Sequence, residues 1–214
     1  MTLVQTSNAR CLAGAAAAGA LLIAATLPAG TVKATPAVYE IDPNHTHPMF
    51  EVDHYGTSVW RGLFRKTRGT ITLDVTKGTG TVDIVVDTAS VDFGNEALND
   101  VAANASAPPI LEAAKYPTAH YTGTLGAFTN GAPTMVTGFL TLHGVTQPLV
   151  LTIGSFKCLP NHPLLHREVC GADAMAKFNR ADFGITVGRK YGFSMDATLR
   201  IQVEAMRAGQ EPTP

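Results

Sequence analysis

The stretch 136–151, VTGFLTLHGVTQPLVL, decides how the chain is read. Leu140 and Leu142 alternate with Thr141. Past His143-Gly144, Leu149, Leu151 and Ile153 alternate with Val150 and Thr152. A period of two marks a strand with one buried face. Gly144 supplies the backbone freedom of a tight turn. Pro148 cannot donate to a ladder and is expected at the first position of the second strand. The pattern predicts a hairpin with Leu140, Leu142, Leu149 and Leu151 facing inward. His143 then reads as a turn residue rather than a catalyst.

The same period extends outward in both directions. In RGTITLDVTKGTGTVDIVVDT, Ile71, Leu73 and Val75 share one face, and Val82, Ile84 and Val86 answer them beyond a Lys77–Gly80 turn. Phe50 and Val52 alternate with Glu51 and Asp53. Near the end, Phe193, Met195, Ala197, Leu199, Ile201 and Val203 alternate with polar residues. Many short antiparallel strands with one apolar face predict an all-β barrel or sandwich. Residues 95–117 break the period. They are Ala-rich and predict one or two short helices split at Pro108-Pro109. The simplest architecture is a barrel with one helical insertion.

The first 34 residues read as a signal peptide rather than as fold. Arg10 precedes an almost unbroken Ala, Gly, Leu and Ile run from Cys11 to Leu27, and Val32-Lys33-Ala34 offers small residues for cleavage after Ala34. The run is short for a membrane span. Arg10 and Lys33 are the segment's only charges, so 14 basic and 17 acidic residues remain, a net charge of about −3. That balance argues against a nucleic-acid partner. Export also explains the cysteines. Cys158 and Cys170 form an even pair in an oxidising compartment and are expected to be disulfide-bonded. A zinc site using Cys158, His162, His166 and Cys170 is the weaker alternative, and no metal is expected.

Several phrases now fall in one order. Tyr39, Ile41-Asp42-Pro43, His45-Thr46 and Phe50-x-Val52-x-His54 open the chain. Trp60-Arg61-Gly62-Leu63-Phe64, Gly69-Thr70-Ile71, Lys115-Tyr116-Pro117 and the 136–151 hairpin follow. Phe178-Asn179-Arg180-Ala181-Asp182-Phe183-Gly184 comes last, after Cys158 and the Cys170–Ala174 phrase. This series resembles the YceI-like family of exported lipid- and polyisoprenoid-binding barrels, over about Tyr39 to Ala205. The resemblance implies an eight-stranded antiparallel, lipocalin-like barrel over residues 35–207, with a tail at 208–214. It further implies a long apolar cavity holding a polyisoprenoid or fatty-acyl chain. The insertion, NEALNDVAANA, departs from the family phrase by lacking its histidine and basic residue.

The candidate ligand-binding residues follow from inward parity and from these motifs. On the wall they are Phe50, Val52, Phe64, Ile71, Leu73, Ile84, Leu140, Leu142, Leu151 and Leu199. Trp60, Phe178 and Phe193 add aromatic surface. His54 shares parity with Phe50 and Val52 and offers a polar point in an apolar wall. Arg180 and Asp182 share parity and read as a polar cluster closing the barrel. Arg61 belongs to a basic group with Arg65, Lys66 and Arg68. That group is either a solvated turn or a rim holding a pyrophosphate or carboxylate. His45-x-His47 has a metal-like spacing but no third ligand spaced to complete a site.

No nucleophile elbow, phosphate loop or His-Glu-x-x-His occurs. The sequence therefore predicts a non-enzymatic periplasmic or secreted lipid-binding protein with no cofactor other than the lipid. The alternatives are an enzyme acting on a bound lipid and a structural or adaptor domain. An inner-membrane partner and a homodimer are both compatible with the sequence.

Overall fold

The computed structural model describes residues 36–107 and 109–210. The expected signal peptide, with its cleavage after Ala34, lies outside the described residues. So do Pro108 and the last four residues of the tail.

The strands in chain order are β1 (Ala37–Ile41), β2 (His47–His54), β3 (Ser58–Phe64), β4 (Thr67–Asp74), β5 (Thr79–Asp87) and β6 (Val91–Asp92). After helix α1 (Glu96–Asn104) come β7 (Thr118–Thr129), β8 (Ala132–Leu142), β9 (Val145–Leu159), β10 (Val169–Asn179) and β11 (Asp196–Arg207). Every pairing among these strands is antiparallel, and β1 pairs with β11 to close the sheet on itself. Closure removes the exposed edges that an open sheet would leave.

Eleven segments make eight staves, because three staves are broken. β1 and β2 pair with β4 and β3 in nearly continuous register. β4 and β3 pair in turn with β5 and β6. The breaks have chemical causes. Pro43 has no N–H to give the ladder, and Asp42 turns the chain there by accepting from the Asn44 N–H (2.9 Å). Thr46 then repairs the ladder with its hydroxyl. It donates to the Glu204 carbonyl (3.1 Å) and accepts from the Glu204 N–H (3.0 Å). At the second break, the Arg65 N–H donates to the Ser90 carbonyl and the Lys66 N–H to the Ser90 hydroxyl. The result is a closed eight-stranded antiparallel barrel with one short helix, as the alternation and the family resemblance imply.

The opening stretch is the β8–β9 hairpin. His143 (φ 52°) and Gly144 (φ 76°) both take positive φ, the signature of a two-residue turn matched to strand twist. Pro148 is not at the strand start but is its fourth residue, opposite Phe139. β10 pairs with β9 only from Thr152 onward, so Pro148 occupies a part of β9 with no paired strand on that side.

Among the described residues of 95–117 there is one helix, α1. Asn95 caps α1 through its side chain, which accepts from the Leu98 N–H (3.0 Å). After Asn104 the chain folds back over the helix. The Leu111 and Ala113 N–H groups donate to the carbonyls of Ala102 and Ala103, which the helix end leaves open. Those bonds use the backbone that a second helix would need.

One end of the barrel is packed solid. Tyr39, Ile41, Leu73, Leu125, Cys170 and Ala205 are buried there. The Cys158–Cys170 disulfide joins residues directly opposite on β9 and β10. The Tyr39 hydroxyl donates to Glu168 (3.1 Å), and burial followed by the Glu168 charge pushes it up to about 12. The first tail residues are also tied in, since the Ala208 N–H donates to the Val38 carbonyl. Among the described residues no helix is long and apolar enough to cross a membrane.

Candidate ligand cavity

The solid packing stops part-way along the barrel, and the remainder encloses a cavity of about 440 Å³. The wall strands contribute Val82, Ile84, Leu140, Leu142, Leu149, Leu151, Leu199 and Ile201. Alternation places these branched side chains inward, and Ala119, Ala174 and Ala197 on neighbouring strands leave the room. Phe50 lies across Gly62 on the next strand. A Cβ there would meet the ring at 2.4 Å, so glycine at that position lets the ring lie flat on the wall.

Thirteen of the residues singled out from the sequence line the cavity. They are Phe50, Val52, His54, Trp60, Phe64, Ile84, Leu140, Leu142, Leu151, Phe178, Arg180, Phe193 and Leu199. Three sit elsewhere. Leu73 is buried in the solid end, and Ile71 packs beside it, opposite Tyr39. Their parity is inward as expected, but they lie too far along the barrel to reach the space. Arg61 is on the outer wall, where its Nε donates to Glu51 (3.0 Å). Arg200 also reaches Glu51 (3.1 Å). The Arg61 bond, more than the Arg200 one, holds the Glu51 carboxyl below its usual range despite some desolvation. Arg65 pairs with Asp92. Arg61 and Arg65 are therefore paired on the outside, Lys66 and Arg68 are exposed, and the basic group is not gathered at the cavity.

The cavity also has a cap that alternation does not reveal. Phe93 enters from just before the insertion, Leu98, Ala102, Ile110 and Leu111 from the insertion itself, and Ile185 and Val187 from the β10–β11 connection. An aromatic cluster completes it. His54 stacks on Trp60 (ring centroids 3.8 Å apart, 16° between planes) and meets Phe193 edge-on at 5.5 Å. Phe93 packs against both Phe50 (5.2 Å) and Trp60 (6.1 Å).

Polar groups at the cavity are few, and most have partners. The Tyr121 hydroxyl donates to the Leu149 carbonyl (3.0 Å), and burial raises it to about 12. Arg180 is 7% exposed. Its guanidinium does not pair with Asp182. It donates to the carbonyls of Ile185 (3.2 Å), Val187 (2.8 Å) and Ser194 (3.3 Å). It thus gathers the whole β10–β11 connection around one side chain. Burial, then the nearby Arg189 charge, lowers its pKa from the usual guanidinium value.

His143 ties the cap to the barrel. Its Nδ1 is 3.1 Å from the Phe183 carbonyl and its Nε2 is 2.6 Å from the Glu112 carboxylate. Tyr116 packs on the same ring at 4.5 Å. Gly144 is also required here, since a Cβ would fall 2.5 Å from the Tyr116 ring. His45, by contrast, pairs with Asp42 (2.8 Å) at the first stave's break. It does not join His47 in a ligand set. The Cys158 and Cys170 sulfurs are spent on each other.

The structure is thus a closed antiparallel barrel with a capped, apolar interior cavity, a shape that can be filled by side chains or hold one ligand. The match to the YceI-like domain model runs over residues 39–205, and the chain belongs to that family. A Pseudomonas putida (strain W619) UPF0312 protein is 32% identical over 177 residues, covering 82% of this chain and 89% of that one. A UPF0312 protein of Pseudomonas savastanoi pv. phaseolicola is 35% identical over 127 residues, 59% of this chain. That match spans 65% of the relative's length. Among solved structures, Burkholderia cenocepacia BcnA superposes with a TM-score of 0.56 at 20% identity, over 74% of this chain and 95% of that one. A polyisoprenoid binding domain from Saccharophagus degradans gives 0.55 at 15% identity, over 80% and 99%. The Campylobacter jejuni YceI protein gives 0.56 at 24%, over 70% and 85%.

Proposed function

We propose that the protein is an exported binding protein that holds the apolar chain of a polyisoprenoid or long acyl lipid inside its barrel, without chemistry. The observation that carries this reading is the cavity of about 440 Å³, whose walls are almost wholly aliphatic and aromatic. A packed core would leave no such space, since protein interiors have few voids larger than a water molecule. Each methylene taken from water into the cavity contributes about 0.8 kcal/mol. A chain of roughly ten carbons then gains about 8 kcal/mol against association costs estimated at ~4–15 kcal/mol. Longer isoprenoid chains bind better on that scale. Membership of the family, and the polyisoprenoid binding named for the Saccharophagus degradans domain, agree with a lipid of this kind. The disulfide and the hydrophobic leader of the sequence support export to an oxidising compartment such as the periplasm.

The test is organic extraction of the purified protein followed by mass spectrometry. A stoichiometric long-chain lipid is expected. Recovery of no lipid, together with failure of the delipidated protein to take up an acyl or isoprenoid chain, would reject the carrier reading.

A further inference from the structure

Two loop tips meet beside the aromatic cap, and both present apolar rings to solvent. Tyr55, at the β2–β3 turn, is 53% exposed, and Tyr191, in the 3₁₀ turn Arg189–Tyr191, is 59% exposed. Their rings are 6.3 Å apart. Tyr55 also packs on Phe193 (4.4 Å), which touches His54, which stacks on Trp60. A continuous aromatic path thus runs from the cavity wall to the surface. Val59, 49% exposed, extends the patch along β3.

The patch is held in place rather than left loose. Asp53 accepts from the N–H groups of Gly56 (2.9 Å) and Ser194 (3.0 Å), so one carboxylate locks both tips together. Tyr55 sits at φ 59°, an uncommon conformation for a bulky residue, with its ring outward. Cations flank the rings. Arg189 and Lys190 are exposed on the same turn, and the Lys190 ammonium stands 4.8 Å over the Tyr191 ring.

Exposed tyrosines with adjacent cations suit a bilayer interface, where the ring sits at headgroup level and the charge meets anionic lipid. We infer that Tyr55, Tyr191, Arg189 and Lys190 form a docking rim for an anionic membrane surface, placed where a lipid would enter or leave the cavity. The entry role rests on the carrier reading above. The docking itself does not, because it is read without any bound lipid.

Binding to vesicles of phosphatidylcholine, with and without phosphatidylglycerol, tests the rim. The chain from Ala34 onward is used, which is a compact unit by itself. The hydrophobic leader would otherwise bind bilayers directly. Wild-type protein is expected to sediment with the phosphatidylglycerol vesicles and weakly with phosphatidylcholine alone. Arg189→Glu/Lys190→Glu should lower the affinity by about 25-fold or more, given roughly fivefold per basic residue at an anionic surface. Tyr55→Ser/Tyr191→Ser should also lower it. Leu164, 81% exposed on the β9–β10 connection at the other end of the strands, serves as the control. Leu164→Ser should change nothing. Absence of wild-type binding, or binding lost in Leu164→Ser and kept in both rim variants, overturns the inference. Near-ultraviolet circular dichroism identifies any variant that fails to fold. The mutated side chains are exposed, so the fold should persist.

Discussion

His143 and Glu112 meet at 2.6 Å across the barrel mouth, joining the β8–β9 turn to the insertion that follows α1. The other ring nitrogen of His143 faces the Phe183 carbonyl, on the β10–β11 connection. Both partners are acceptors, so the ring satisfies both when it carries a proton on each nitrogen. One side chain in a two-residue turn therefore clasps three segments that are distant in sequence.

Replacing His143 with Asn keeps a residue suited to positive φ but shortens the reach. The variant should lose about 2 kcal/mol, from two hydrogen bonds at roughly 1 kcal/mol each. Thermal or urea unfolding measures this. Hydrogen exchange should accelerate in residues 110–116 and 183–185 while the closed end stays protected. Uniform acceleration over the barrel would contradict a clasp confined to the cap.

Arg180 should be far more costly to remove. Arg180→Met leaves the Ile185, Val187 and Ser194 carbonyls without their donor, the first in a buried setting and the other two in part-buried ones. At about 1 kcal/mol or more per stranded group, the loss is roughly 3 kcal/mol. Chemical denaturation reads it. A loss under about 1 kcal/mol would show that the connection holds without the guanidinium.

Ala174 lines the cavity from β10 and has room in front of it. Ala174→Phe should fill that space at little cost in stability and reduce lipid uptake by the delipidated protein. Trp60 is the chain's one tryptophan and lines the same cavity, so its emission reports occupancy directly. The wild-type spectrum should shift on adding an acyl lipid, and the Ala174→Phe spectrum should not. A full shift in the variant would move the ligand out of the barrel.

The Asp42–His45 pair predicts a pH window. Burial alone would raise the Asp42 carboxyl, but the His45 bond and the Asn44 N–H outweigh it and the net shift is downward. A lowered carboxyl stabilises the fold above its unfolded pKa of about 4 and loses that effect as pH falls through the folded value. His45 is raised, chiefly by its bond to Asp42. Its contribution is complete below about 6.5 and is lost as pH rises through the folded value. Asp42→Asn should therefore differ most from wild type between about pH 4 and 6.5, with the gap narrowing on both sides. Thermal melts across pH check it, and a gap independent of pH would refute the assignment.

Much of the barrel wall was legible because its signal is local. Leu140, Leu142, Leu151 and Leu199 reveal their inward face by period two alone. Ile71 and Leu73 show the limit of that signal. Parity says which face is inward but not how far along the barrel a residue lies. The position of Pro148 shows it again, because nothing near Pro148 in sequence indicates that β10 leaves that part of β9 uncovered. The cap was not legible, since Phe93, Leu98, Ile110, Leu111, Ile185 and Val187 follow no single period. Arg61 and Arg180 illustrate the same gap. Both are arginines in family motifs, yet one pairs with Glu51 in solvent and the other is buried among carbonyls.

By itself the sequence determined the strands, the turn at His143-Gly144, the pairing of the two cysteines and the family. Each of these depends on neighbours along the chain or on compartment chemistry. Only the tertiary structure decided that eleven segments join into eight staves, where the solid packing ends and the cavity begins, and which side chains close it. Those outcomes depend on side chains brought together from opposite ends of the chain, as Thr46 is with Glu204. Their energies come from burial and from hydrogen bonds that exist only once the barrel has closed.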